Sequence, residues 1–209
     1  MLNNVQLLTH SSIRIAKDKI IYIDPFKIDK DYNDADLIFC THSHFDHFSV
    51  EDIKKVVSEN TRIITVEETK EKLLNMGFKQ EEIIIVKPNT KYKIGDFLFD
   101  TVSAYNLKKD FHPKKNSWVG YNINIDNTWY YIAGDTDNTK EARKVKCDVA
   151  FIPVGGTYTM NYKEAADLAN AIMPKIAIPT HYGSLVGSRD DAKMFASNLN
   201  PAIDCEIMI

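Results

Sequence analysis

Short apolar runs broken by turn residues recur along the chain, with lengths that alternate between those of strands and of helices. Ile20-Ile21-Tyr22-Ile23 predicts a strand stopped by Asp24-Pro25, and Leu37-Ile38-Phe39-Cys40 a second, buried one. Ser49-Val50-Glu51-Asp52 has the form of a capping box and predicts a helix to about Asn60. Arg62 to Val66 predicts a strand, Glu67 to Met76 a helix stopped by Gly77, and Ile83 to Val86 another strand. Beyond Tyr92 the pattern turns to hairpins. Lys93 to Ser103 reads as two strands or one bent pair around Gly95-Asp96, and Val119–Ile125 and Thr128–Ala133 flank the two-residue turn Asp126-Asn127. Val149 to Pro153 is a buried strand, Tyr162 to Ile172 a helix and Ile176 to Pro179 a strand. Ser188 opens a last helix to about Leu199, and Ile203 to Met208 closes the chain as a strand. Strands with interspersed helices imply a layered α/β (α+β) arrangement. The mixture of hairpins with β-α units argues against a purely parallel, doubly wound sheet.

Composition narrows the class without naming it. A length of 209 residues fits one domain over 1–209, and no linker, repeat or charge block cuts it. The net charge of −3 gives no general attraction to nucleic acid, so none is expected as a partner, and a small molecule is. No apolar stretch is long enough for a membrane span, and Met1-Leu2-Asn3-Asn4 lacks the form of a signal peptide, so the expected location is the cytoplasm. Cys40, Cys147 and Cys205 are odd in number, far apart and within or beside apolar runs, which reads as buried free thiols. Nothing in the sequence speaks to oligomeric state.

The chemistry concentrates in one loop. Thr41-His42-Ser43-His44-Phe45-Asp46-His47 crowds three imidazoles and a carboxylate directly after the Leu37–Cys40 strand. His42 and His44, two apart in an extended turn, can converge on one cation, and Asp46 and His47 can reach a second beside it. Imidazole nitrogen and carboxylate oxygen suit zinc and other borderline divalent metals. A pair of cations about 3.5–4 Å apart can hold a hydroxide and clamp a substrate oxygen. The competing reading is a polar surface loop, or a set of histidines that bond to the backbone, and neither gives three rings and a carboxylate a reason to converge.

Three later loops each follow a short apolar strand: Gly134-Asp135-Thr136-Asp137, Val154-Gly155-Gly156-Thr157 and Thr180-His181-Tyr182-Gly183. Strand ends aim ligands rigidly, and glycine lets backbone pass close to a metal or substrate. Asp135 can bridge two cations. Taken alone, Gly-Asp-Thr is more often a plain turn, and His181 reads equally well as a satisfied core histidine.

Together, His-x-His-x-Asp-His, then Gly-Asp-Thr, then a late strand-end histidine resemble the metallo-β-lactamase-fold hydrolases over about residues 5 to 190. Thr9-His10-Ser11-Ser12, Ile21-Tyr22-Ile23-Asp24-Pro25 and Thr157-Tyr158-Thr159-Met160 are similar to the branch related to L-ascorbate-6-phosphate lactonase. The resemblance implies a four-layer αββα sandwich of two mixed β-sheets flanked by helices, with metals at one edge. It also implies a first metal on His42 and His44, a second on Asp46, His47 and His181, and Asp135 as the bridge. Zinc is the implied metal and manganese the alternative.

One position departs from that pattern. The family usually supplies a third histidine to the first metal from the strand end that here reads Ser103-Ala104-Tyr105-Asn106. Asn106 can offer an amide oxygen, a weaker and harder ligand than imidazole, or His112 can swing in from six residues on, or the first site is weak or takes a different metal; Asn106 near the metals is the favoured reading. His10 is either a surface histidine or one that orients a ligand, and Asp24 either a turn former or a partner behind the ligands. Lys114 and Lys115 share the polar loop of His112 and are candidates to hold an anionic group on the substrate; Tyr158 is a candidate to line the cleft. The reading is a hydrolase that activates water between two divalent cations, with Asp46 or Asp135 orienting the water and passing a proton to the leaving group. A small ester or lactone, phosphorylated or not, is the expected substrate. The alternatives are a phosphodiesterase or nuclease of the same superfamily, and a non-catalytic metal-binding protein.

Overall fold

The computed structural model describes residues 1–209, which divide into two compact units, residues 2–86 and residues 87–209 with Met1. The first holds a six-stranded sheet in chain order: β1 (Val5–Thr9), β2 (Ser12–Ala16), β3 (Ile20–Ile23), β4 (Ala35–Phe39), β5 (Val57–Thr65) and β6 (Ile83–Ile85). β1 to β3 run antiparallel, and β3 to β6 are parallel. The crossovers carry helices α1 (Val50–Val56) and α2 (Lys70–Asn75). Ile53, Val56 and Leu73 from them pack with Tyr22, Ile38 and Ile63 of the sheet. Residues 37 to 40 are buried without alternation, as their continuous apolar run requires.

Two features of this unit differ from the sequence expectation. The β1–β2 hairpin was not foreseen, because Leu7-Leu8 blurs a pattern that otherwise alternates buried Val5 and Leu7 with exposed Gln6. Helix α1 stops at Val56 rather than near Asn60, and the next nine residues form β5. Ser49 caps it as expected, its Oγ accepting from the Asp52 amide at 3.3 Å. Past Val56, β-branched Val57 and the weak helix formers Ser58, Asn60 and Thr61 favour pairing instead. Ser58 and Thr61 hydroxyls both donate to the Ala35 carbonyl, at 2.9 and 2.6 Å.

The second unit holds a seven-stranded sheet. Strands β7 (Lys91–Ile94), β8 (Phe97–Ser103), β9 (Val119–Ile125) and β10 (Thr128–Ile132) form an antiparallel meander. Strands β11 (Val149–Pro153), β12 (Ile176–Thr180) and β13 (Asp204–Cys205) extend it in parallel from β10. Asp126 and Asn127 both take positive φ, as a two-residue hairpin turn requires. Helix α3 (Tyr162–Ile172) opens on a capping box of Asn161 and Glu164 and buries Ala165, Leu168, Ala169 and Ile172. It packs with α4 (Arg189–Ser197), through Phe195, in a core shared with Val102, Tyr131 and Ile152. The closing strand is only two residues long, against the six expected from Ile203 to Met208.

Strand direction decides where chemistry can sit. β8, β10, β11 and β12 all point the same way, so the loops that begin at residues 104, 133, 154 and 181 emerge at one edge of the seven-stranded sheet. In the six-stranded sheet β1, β3 and β4 likewise deliver His10, Asp24 and Thr41 to one edge. Mixed sheets with helices alongside match the predicted class. No helix is long and apolar enough to cross a membrane.

Candidate metal centre

In the first unit a buried carboxylate organises the histidine loop. Asp24 ends β3 with φ 47°, and its amide donates to the Phe39 carbonyl at 2.9 Å. Its carboxylate accepts from the Thr41 amide at 2.8 Å, the Thr41 hydroxyl at 2.7 Å and His47 Nδ1 at 2.7 Å. Burial pushes the Asp24 carboxyl up, and His47 and Thr41 pull it back.

These bonds fix two imidazole tautomers. With its Nδ1–H given to Asp24, neutral His47 carries its lone pair on Nε2. The Thr41 hydroxyl proton is spent on Asp24, so at 3.0 Å from His42 Nδ1 that oxygen can only accept. His42 therefore also keeps a lone pair on Nε2. His42 Nε2 lies 3.1 Å from His44 Nδ1, and Asp46 Oδ2 lies 3.5 Å from His47 Nε2 and 3.2 Å from His10 Nε2. Donor atoms 2.0–2.1 Å from one tetrahedral zinc lie about 3.3 Å from each other, so this spacing fits a shared cation. His10, fully buried at φ 51°, joins Asp46 and His47 rather than the surface.

The second unit presents its own set. Asp135, in the loop after β10, places Oδ2 3.1 Å from Nε2 of both His112 and His181. His181 follows β12 with φ 57°, and its carbonyl lies against Gly155, where a Cβ would come within 2.2 Å of that oxygen. Of the two stand-ins for the family's third histidine, His112 faces the Asp135 carboxylate. Asn106 sits behind it, with Oδ1 3.0 Å from the His112 amide and 3.1 Å from its Nδ1.

The remaining residues singled out in the sequence are dispersed. Lys114 donates to Glu141 at 2.9 Å and to the Tyr105 hydroxyl at 3.3 Å, and its charge is thereby matched. Against the upward push of burial, Lys114 and Tyr105 hold the Glu141 carboxyl down to about 2. Lys115 is exposed. Tyr158 is 37% exposed and stacks edge-on with Phe111 at 4.7 Å, and its carbonyl accepts from Asn106. Sequence reasoning missed Thr41, Asp137 and Lys109. Asp137 accepts from Asn106 Nδ2 at 3.0 Å, the Leu107 amide at 2.8 Å and Lys109 Nζ at 3.0 Å, which ties down the His112 loop. The second carboxylate of Gly-Asp-Thr-Asp was the available signal for it.

With this geometry in view, four similarities bear on the chain. The family described as Beta-lactamase superfamily domain matches residues 4–181. A metal-dependent hydrolase of Pyrococcus abyssi is 28% identical over 194 residues, covering 86% of this chain and 84% of its own. A solved structure from Parabacteroides distasonis, provisionally assigned as a metal-dependent hydrolase, is 28% identical with TM-score 0.80, covering 98% of this chain and 91% of its own. A metallo hydrolase from Ignicoccus hospitalis shares the fold at TM-score 0.78 and 22% identity, over 98% of this chain and 94% of its own.

Proposed function

We propose, from the premise that the chain belongs to the β-lactamase superfamily and is a metal-dependent hydrolase, that it cleaves a small ester or lactone with a metal-activated water. The residues proposed to hold two divalent cations, zinc or else manganese, are His42, His44, Asp46, His47, Asp135 and His181, with His112 as the third histidine. The observation that carries this reading is the single Asp135 oxygen 3.1 Å from two imidazole Nε2 atoms, a donor set that suits a borderline divalent metal.

The cations, when bound, supply a water nucleophile at neutral pH and electrostatic stabilisation of the substrate oxygen. The chain's own part is to aim and to move protons. Asp24 holds His47 directly and His42 through Thr41, so that neither ring turns its N–H inward. Asp46 and Asp135 are the carboxylates suited to orient the attacking water and return its proton to the leaving group. Lys115, rather than the paired Lys114, is the lysine left to meet an anionic group on the substrate.

Chelation should abolish turnover on a panel of lactones, carboxylic esters, phosphodiesters and RNA, with zinc or manganese restoring it on lactones or esters. Full turnover by verified metal-free protein would overturn the metal reading. Restored cleavage of phosphodiesters or RNA alone would overturn the substrate class.

A further inference from the structure

We propose that Asn106, which stands where a ligand histidine is expected, is no ligand at all. It is a positioning residue that locks His112 as the Nδ1–H tautomer and leaves Nε2 as the atom offered to a cation. The inference rests on the metal site proposed above and assigns a role within it.

The orientation of the Asn106 amide is fixed by three partners of known polarity. Nδ2 lies 3.0 Å from a carboxylate oxygen of Asp137 and 3.0 Å from the Tyr158 carbonyl, which can only accept. Oδ1 lies 3.0 Å from the His112 backbone amide, which can only donate. Turning the amide over would set oxygen against two oxygens and N–H₂ against N–H, losing all three bonds.

Two consequences follow from that fixed oxygen. His112 Nδ1, 3.1 Å away, must carry a proton to face it, so the neutral ring has its lone pair on Nε2. Asp135 Oδ2 lies 3.1 Å from that nitrogen, the spacing that two ligand atoms take around one tetrahedral cation. The amide oxygen also has only two lone pairs, and the His112 amide and ring take both. Asn106 Oδ1 therefore has nothing left for a metal.

The loop is built to hold this pair in register. The Asn106 amide donates to the His112 carbonyl at 2.8 Å, closing residues 106–112 on themselves. Lys109 ties the middle of the loop to Asp137 and to the Thr159 carbonyl at 2.8 Å. His112 is 1% exposed, and its ring lies edge-on to Trp118 at 5.6 Å. A histidine nine residues beyond the end of β8 thus reaches Asp135 because the chain folds back and an asparagine takes the place behind it.

The test uses zinc as the probe, with nitrogen NMR of labelled histidines and chelator competition, on the full chain. In the zinc-loaded wild type, His112 should show a protonated Nδ1 and a metal-bound Nε2. Asn106→Ala should lose the Nδ1–H signature and bind one zinc about 10- to 100-fold more weakly, the usual loss for a partner that orients a ligand. Asn106→Asp keeps the acceptor behind Nδ1 and should keep that signature, while its second oxygen, set against Asp137 and the Tyr158 carbonyl, should lower the Tm. In a His112→Ala background, Asn106→Ala should cost nothing further. An unchanged tautomer and affinity in Asn106→Ala would overturn the proposal, as would an equal loss in the His112→Ala background, which would mark a general structural effect. Failure of the hydrolase reading is told apart by the substrate panel, since the tautomer and zinc readouts need no turnover.

Discussion

Replacing Asp24 by Asn is the sharpest perturbation available, because it keeps shape and removes one acceptor that two candidate ligands share. The amide can still accept from the Thr41 backbone N–H, but its N–H₂ then faces the Thr41 hydroxyl and His47 Nδ1. His47 must accept there and move its proton to Nε2. Thr41, with no acceptor left, turns its hydroxyl to His42 Nδ1 and moves that proton to Nε2 as well. Loss of one orienting partner weakens metal binding by about 10- to 100-fold. Two candidate ligands misoriented through one carboxylate give roughly 10²- to 10⁴-fold, or about 2.8–5.6 kcal/mol at about 1.4 kcal/mol per tenfold. Stability of the metal-free protein should move the other way. A buried acid whose pKa is raised binds its proton more tightly folded than unfolded, so above its ordinary value it subtracts from stability. Removing it should leave the metal-free Tm no lower. Zinc affinity by chelator competition and Tm by calorimetry, on the same metal-free preparations, check both signs. Wild-type affinity in Asp24→Asn would refute the tautomer argument, and a fall in metal-free Tm that tracks the loss of affinity would assign the effect to folding.

Other expectations follow from the same contacts. Asn106→His, attractive from the sequence alone, should loosen rather than tighten zinc, because it removes the acceptor behind His112 Nδ1; tighter binding by titration calorimetry would count against this. Glu141, held down to about 2 by Lys114 and Tyr105 after burial's upward push, adds stability that is present above its ordinary pKa of 4.5 and lost as pH falls through about 2. Lys114→Ala should therefore flatten that acid limb of a Tm-against-pH curve. Gly155→Ala puts a methyl 2.2 Å from the His181 carbonyl, so it should cost about 1–3 kcal/mol in urea unfolding and weaken zinc binding together. An unaltered midpoint there would mean that the His181 loop yields freely.

The histidine loop was legible as a candidate site because its His and Asp residues are neighbours in sequence and follow an apolar strand. The mixed β pattern was legible from turn chemistry, Asp126-Asn127 above all. The choice between Asn106 and His112 was not, because it depends on a loop that closes through bonds to Asp137 and Tyr158, residues 31 and 52 positions away. Thr41 escaped notice for a related reason. A hydroxyl that fixes a tautomer leaves no periodicity, and its role appears only when Asp24, 17 residues earlier, is seen beside it. Helix α1 ended early because β4 offered Ser58 and Thr61 a carbonyl partner that local propensity cannot report.

His10, Asp24 and His181 all sit at positive φ, where an L residue costs roughly 1–2 kcal/mol and glycine or asparagine far less. Natural drift would read that cost as pressure. A copy of this gene released from selection for catalysis would gain stability from glycine at these three codons, and so would a laboratory screen for heat resistance alone. Their side chains make the three positions indicators of a lineage that has abandoned the chemistry while keeping the fold.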